Sequence, residues 1–211
     1  MKTLEAFVQN RDVFRQELIE FDEFLSANQT FGEQELLRPF LTARRQLCAQ
    51  IGDISKEITK PDRLAFEYDL FGDFAADLVV GDSRDGAYTF VEFEDARPNS
   101  LFVQKLSKYK SEFAPRFERG YSQLVDWFYK LDSMQGTRDM EERFGRREIR
   151  YDGILIIGRN EFISPAEQAR LAWRQDRVVV NSRHILVYTF DQLYSILWRK
   201  EQVSRDILLN E

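Results

Sequence analysis

The chain has one cysteine and one histidine in 211 residues, so it can form no internal disulfide and no Cys/His zinc site. With only 10 Gly and 5 Pro, it is neither collagen-like nor a low-complexity linker. No apolar run approaches the roughly 20 residues that a membrane-spanning helix needs. The opening Met1-Lys2-Thr3-Leu4-Glu5-Ala6-Phe7 carries an acid where a secretory signal is uniformly apolar. Positive charge is not in excess either: 30 Lys and Arg face 36 Asp and Glu, a net charge of −6. That balance disfavours a surface binding nucleic acid nonspecifically, so any such contact must come from a local patch. Together these absences predict a protein of the reducing cytoplasm, with no membrane contact and no small-molecule cofactor.

What is present is a globular composition, 43% hydrophobic and 31% charged, in a chain long enough for one domain with a helical extension. Leu4, Phe7, Val8, Phe14, Leu18, Phe21 and Leu25 recur at three- and four-residue spacing, predicting an amphipathic helix over 4–25. After Ser-Ala-Asn-Gln-Thr-Phe-Gly, a second helix is expected through Leu36, Leu37, Phe40, Leu41, Leu47, Cys48 and Ile51, with Pro39 in its first turn or at a kink.

From residue 64 the texture changes. Short apolar runs at 64–70, 74–80 and 87–93 read as strands, and 81–86 as a hairpin loop. Phe117, Tyr121, Leu124, Val125, Phe128 and Leu131 predict a helix over 117–131, followed by a polar loop of about 15 residues. Ile154 to Ile157 reads as a strand covered on both faces. Ser164-Pro165-Ala166-Glu167 opens a helix, 178–180 and 185–189 are short strands, and Asp191 is expected to cap a last helix. The order predicts an α/β fold: a mixed sheet flanked by helices over 61–200, behind a helical segment over 1–60, with a tail over 201–211.

Three acids stand out. Strand alternation puts Tyr88, Phe90, Glu92 and Glu94 on one face of 87–94, so two carboxylates end an otherwise apolar face, their Cβ atoms roughly 7 Å apart. Asp77 interrupts the run Phe74-Ala75-Ala76-Asp77-Leu78-Val79-Val80 and, across the hairpin, can face Glu92. Like charges beside apolar surface need compensation, and a divalent metal supplies it. Asp77, Glu92, the Phe93 carbonyl and water would make an all-oxygen site suited to Mg²⁺ or Mn²⁺. The alternative is that Glu92 and Glu94 end a solvated edge strand and Asp77 is a turn acid.

Gln123 shares a helix flank with Trp127 and Lys130, a stripe that is otherwise simply solvated. Lys105, Lys108, Lys110, Arg116 and Arg119 cluster after these acids, the first four as a local basic group for nucleic acid. Arg143, Arg146, Arg147 and Arg150, diluted by nearby acids, read as a solvated loop. His184 and Cys48 read as structural.

Asp77 followed by a hairpin and Glu92-Phe93-Glu94 resembles the Asp…(Asp/Glu)-x-Lys signature of the restriction-endonuclease-like superfamily, with Glu94 where Lys is usual. Phe71-Gly72-Asp73-Phe74-Ala75-Ala76-Asp77, Val91-Glu92-Phe93-Glu94-Asp95-Ala96 and Gly120-Tyr121-Ser122-Gln123-Leu124-Val125-Asp126-Trp127 together resemble the Shedu family of bacterial antiphage defence proteins. The resemblance implies an oligomeric nuclease core acting on DNA, with Asp77 and Glu92 as metal ligands and Gln123 at the site. It also implies an upstream acid, for which Glu33 and Glu35 both qualify.

Two functions are therefore expected from the sequence. One is a Mg²⁺- or Mn²⁺-dependent DNA endonuclease in which Asp77 and Glu92 hold the metal and Glu94 orients the attacking water or takes its proton. The other is a nucleic-acid-binding or regulatory scaffold whose site has drifted, motivated by Glu94 and the acidic charge. A further reading is an interaction module in which the N-terminal helices, through their wide apolar stripes, pair with copies of themselves into a homo-oligomer.

Overall fold

The structure, a computed structural model, describes residues 3–34, 38–105 and 110–209. Its element order is β1 (Glu5–Ala6), α1 (Arg11–Ala27), α2 (Arg38–Thr42), α3 (Arg45–Gly52), β2 (Arg63–Leu70), β3 (Phe74–Asp82), β4 (Ala87–Phe93), β5 (Phe102–Val103), β6 (Glu112–Phe113), α4 (Pro115–Met134), α5 (Arg138–Phe144), β7 (Arg150–Ile156), α6 (Pro165–Arg177), β8 (Val179–Val180), β9 (Arg183–Tyr188) and α7 (Phe190–Leu209). A seven-stranded mixed sheet in the order β1-β2-β3-β4-β7-β9-β8 forms the centre. β2, β3 and β4 form an antiparallel meander, and β7 and β9 then add in parallel.

Helices cover both faces, as an α/β sheet with parallel members requires. Leu78, Val80, Val91, Ile154 and Ile156 pack with apolar residues of α1, α3 and α7. Val79, Tyr88, Phe90, Leu155 and Ile157 pack with those of α4, α5 and α6. The Ile154–Ile157 run is continuous because alternate residues serve different cores. The 201–209 segment continues α7, and buried Glu201 bonds Arg11 and Arg15 of α1.

Three local expectations need correction. Residues 4–8 are not helical: Glu5 and Ala6 pair with Leu64 and Arg63 at the sheet edge, and α1 starts after Asn10, whose Oδ1 accepts from Val13 N at 3.1 Å. Capping chemistry set that boundary, whereas the apolar spacing ran across it. The second helix is broken between Thr42 and Arg45 into α2 and α3, while Leu36 and Leu37 lie outside the described residues. α7 is capped by Thr189, not Asp191: Thr189 Oγ1 accepts from Gln192 N at 3.1 Å, and Gln192 Oε1 from Thr189 N at 3.0 Å. The Asp191 carboxylate instead accepts from the Arg159 guanidinium at 3.0 Å.

The expected 15-residue loop contains α5, capped by Thr137 and closed by Gly145 at φ 72. Only Met140 and Phe144 give that helix an apolar face, too little periodicity to detect. The β5–β6 pair was likewise not foreseen.

A distortion in the meander positions the site. β2 and β3 pair Phe66 with Leu78 and Tyr68 with Ala76, which sets Glu67 opposite Asp77. Glu67 has φ 47, a left-handed conformation that costs a side-chain-bearing residue about 1–2 kcal/mol. Ala65 and Tyr68, three residues apart, share one core, as do Ala76 and Val79. The inside–outside alternation therefore slips by one residue in both strands at the Glu67/Asp77 pair.

Candidate active site

β4 is a central strand, with β3 on one side and β7 on the other. Glu92 and Glu94 at its end are 6% and 2% exposed, so the solvated-edge reading of these acids fails. The β3–β4 register pairs Leu78 with Val91, and one step further places Asp77 across from Glu92. There Asp77 Oδ2 accepts a hydrogen bond from Phe93 N at 2.9 Å. The acid takes over a ladder position next to the slipped pleat.

Asp77, Glu92, Glu94, Glu33, Gln123 and Arg116 line one cleft of about 410 Å³, together with Arg38, Glu67 and Arg119. Burial pushes the Glu92 carboxyl far above the ordinary carboxylate range, and the charges of Asp77, Glu94 and Glu33 push it further. Asp77 is raised by the same burial and by Glu33, against the Phe93 amide and Arg38. The Asp77 charge beside Glu92 thus disfavours ionising both acids together. Burial raises Glu94 as well, with Arg116 opposing it.

Cations already grip these acids. Arg38 Nη2 lies 3.4 Å from both Asp77 Oδ1 and Glu33 Oε1, and Arg38 Nη1 also pairs with Glu67. Arg116 Nη1 donates to Glu94 Oε2 at 2.6 Å. Among the described residues no three Asp, Glu, His or Cys side chains are grouped to hold a metal as they stand.

The donors nevertheless fit a hard divalent cation. Two desolvated carboxylates face each other, and buried Gln123 Oε1 has no hydrogen-bond partner among the described residues. All three are oxygen ligands of the kind Mg²⁺ and Mn²⁺ accept. α4 approaches Glu94 closely at Gly120, where a Cβ would lie 3.2 Å from Glu94 Cγ and 2.8 Å from Leu155 Cδ1.

Other expected site residues lie elsewhere. Lys105 pairs with Glu112, and Lys110 is exposed; neither lines the cleft, whereas Arg116 does. Lys108 and Glu35 lie outside the described residues. Lys130 pairs with Asp73 at 2.6 Å, and Trp127 is core. Cys48 is fully buried, and His184 Nδ1 is 2.8 Å from the Gln175 carbonyl, in keeping with structural roles for both. Arg38 and Glu67 were missed because their contacts span 29 and 39 residues and leave no local pattern.

The fold and site define an α/β protein with an acid-lined cleft at the end of a central strand, in a mixed sheet covered on both faces. The chain belongs to the Shedu family: the model for the C-terminal region of the Shedu protein SduA matches residues 6–194. That membership associates it with antiphage defence. No curated protein matches the chain.

Proposed function

We propose that this protein is a divalent-metal-dependent DNA endonuclease acting in antiphage defence, with the restriction-endonuclease-like arrangement of its acids. The observation that carries this reading is the Asp77–Glu92 pair opposed across β3 and β4, Glu92 buried and Asp77 half-buried, in a cleft that also holds arginines. Asp77 and Glu92 would hold Mg²⁺ or Mn²⁺, with Gln123 Oε1 as a further oxygen donor. The bound ion supplies an activated water and neutralises charge on the phosphate.

The chain's own residues supply the rest. The Phe93 amide fixes the Asp77 carboxylate, and the slipped pleat at Glu67 turns Asp77 out of the core toward the cleft. Glu33, tied to Arg38, serves as the upstream acid. Arg38, Arg116 and Arg119 supply positive charge along the cleft, which a protein of net charge −6 otherwise lacks for a DNA backbone.

To test this, supercoiled and linear DNA are incubated with the purified protein in Mg²⁺ or Mn²⁺. Wild type cleaves, and Asp77→Asn and Glu92→Ala do not. Equal cleavage by wild type and Glu92→Ala overturns the reading.

A second reading, a DNA-binding or regulatory scaffold with a drifted site, is favoured by one observation: Asp77 and Glu94 already have arginine partners. Calorimetry with Mn²⁺ separates the two, since tight binding that Asp77→Ala abolishes belongs only to the first. Assembly into a homo-oligomer is also proposed, supported by exposed Tyr129, Trp173 and Val203. Light scattering that finds a monomer refutes it.

A further inference from the structure

The cleft carries a cation where the family resemblance leads one to expect another. Glu94 stands at the position where the superfamily signature has lysine, yet its carboxylate is buried against a guanidinium. Arg116 Nη1 lies 2.6 Å from Glu94 Oε2, and Arg116 Nε lies 3.3 Å from Asp95 Oδ2. Asp95 is in turn fixed by Ser100 Oγ at 2.5 Å. The two acid side chains are 3% and 7% exposed, whereas that of Arg116 is 41% exposed. Consecutive buried acids thus hold the guanidinium from beneath while its outer part meets solvent in the cleft that contains Asp77 and Glu92. A guanidinium has five N–H donors, and one hydrogen bond to Glu94 and one ion-pair contact with Asp95 leave most of them free. Gly120 permits the arrangement, because a Cβ there would press on Glu94 Cγ at 3.2 Å.

We infer that Glu94 is a positioning residue for Arg116, and that Arg116 brings to the scissile phosphate the positive charge that a lysine on β4 would have carried. This inference rests on the nuclease reading. Hydrolysis forms one P–O bond from water and breaks one P–O ester bond. One water proton goes to the leaving oxygen and the other to solvent, giving a phosphomonoester and a free hydroxyl. Negative charge gathers on the non-bridging oxygens, which the free donors of Arg116 are suited to meet. A guanidinium held in advance needs no reorganisation at that moment. On this account Glu94 takes no proton from the water.

The test uses the full chain with Arg116→Ala, Arg116→Lys, Glu94→Gln, Glu94→Ala and the double variant Glu94→Ala/Arg116→Ala, with Arg116→Gln in reserve should the alanine variant unfold. Cleavage in Mn²⁺ gives kcat and KM. Anisotropy of a labelled duplex in Ca²⁺ across a salt series counts phosphate contacts without turnover. Loss of one charged donor is expected to lower kcat/KM roughly 10²–10³-fold in Arg116→Ala, with partial rescue in Arg116→Lys. The salt slope should fall by about 0.9, one phosphate contact. Glu94→Gln keeps an acceptor oxygen but not the charge, so it should lose less activity than Glu94→Ala, and the double variant should be no worse than Arg116→Ala. An unchanged salt slope in Arg116→Ala overturns the inference. So does Glu94→Gln as inactive as Glu94→Ala, with the double variant worse than either single one. If wild type cleaves no DNA, the nuclease reading fails by itself, and the Ca²⁺ salt slope still decides whether Arg116 touches a phosphate.

Discussion

Replacing Glu92 with Gln separates the electrostatics of the buried acid pair from its packing. The amide has nearly the shape of the protonated acid and can still donate to Asp77, but it takes up no proton on folding. In wild type the folded-state pKa of Glu92 is raised, by burial first and then by Asp77 and Glu94. The stability this contributes is therefore full below the ordinary glutamate value of 4.5 and is lost as pH rises toward the raised folded value. One proton bound on folding gives a slope of about 1.4 kcal/mol per pH unit, or about 3 kcal/mol between pH 5 and pH 7. At roughly 2–4 °C per kcal/mol for a chain of this size, wild type in EDTA should lose roughly 6–12 °C more in Tm over that interval than Glu92→Gln. Mn²⁺ should restore the wild-type melt at neutral pH, because a cation replaces the proton, and should leave Glu92→Gln unchanged. Scanning calorimetry at several pH values, with EDTA or Mn²⁺, reads both effects. Parallel pH dependences for the two proteins would refute the buried-charge reasoning.

Three further outcomes are expected. Glu67→Gly relieves a left-handed backbone at φ 47 and should raise stability by about 1 kcal/mol in denaturant melts, while loss of its pairing with Arg38 weakens Mn²⁺ binding or cleavage. Gly52→Ala places a Cβ 2.3 Å from Val80 Cβ, so overpacking between α3 and β3 should cost about 1–3 kcal/mol in urea unfolding. Arg159→Ala leaves Asp191 and the carbonyls of Leu25 and Asn28 without the guanidinium that joins them. Loss of about 3–5 kcal/mol is expected, read as early melting that Arg159→Lys only partly repairs.

The sequence alone determined the α/β class, most strand positions and the three acids, because each is written in local pattern. A continuous apolar run set the Ile154–Ile157 strand, a capping box set the start of α6, and two carboxylates ending an apolar strand face needed an explanation before any contact was known. Local pattern also misled where a cap, not periodicity, decided a boundary, as at Asn10 and Thr189, or where a helix had too few apolar residues to show, as in α5. What only the tertiary structure decided are the relations between distant segments. Glu67 slips the pleat opposite Asp77, Arg38 reaches acids on β2 and β3, and Arg116 closes on Glu94 from the first turn of α4. Such contacts depend on register and on which helix covers which face, so no short-range spacing encodes them. Glu94 shows the difference most plainly: in the sequence it is a departure from a motif, and in the folded chain it is the buried seat of an arginine.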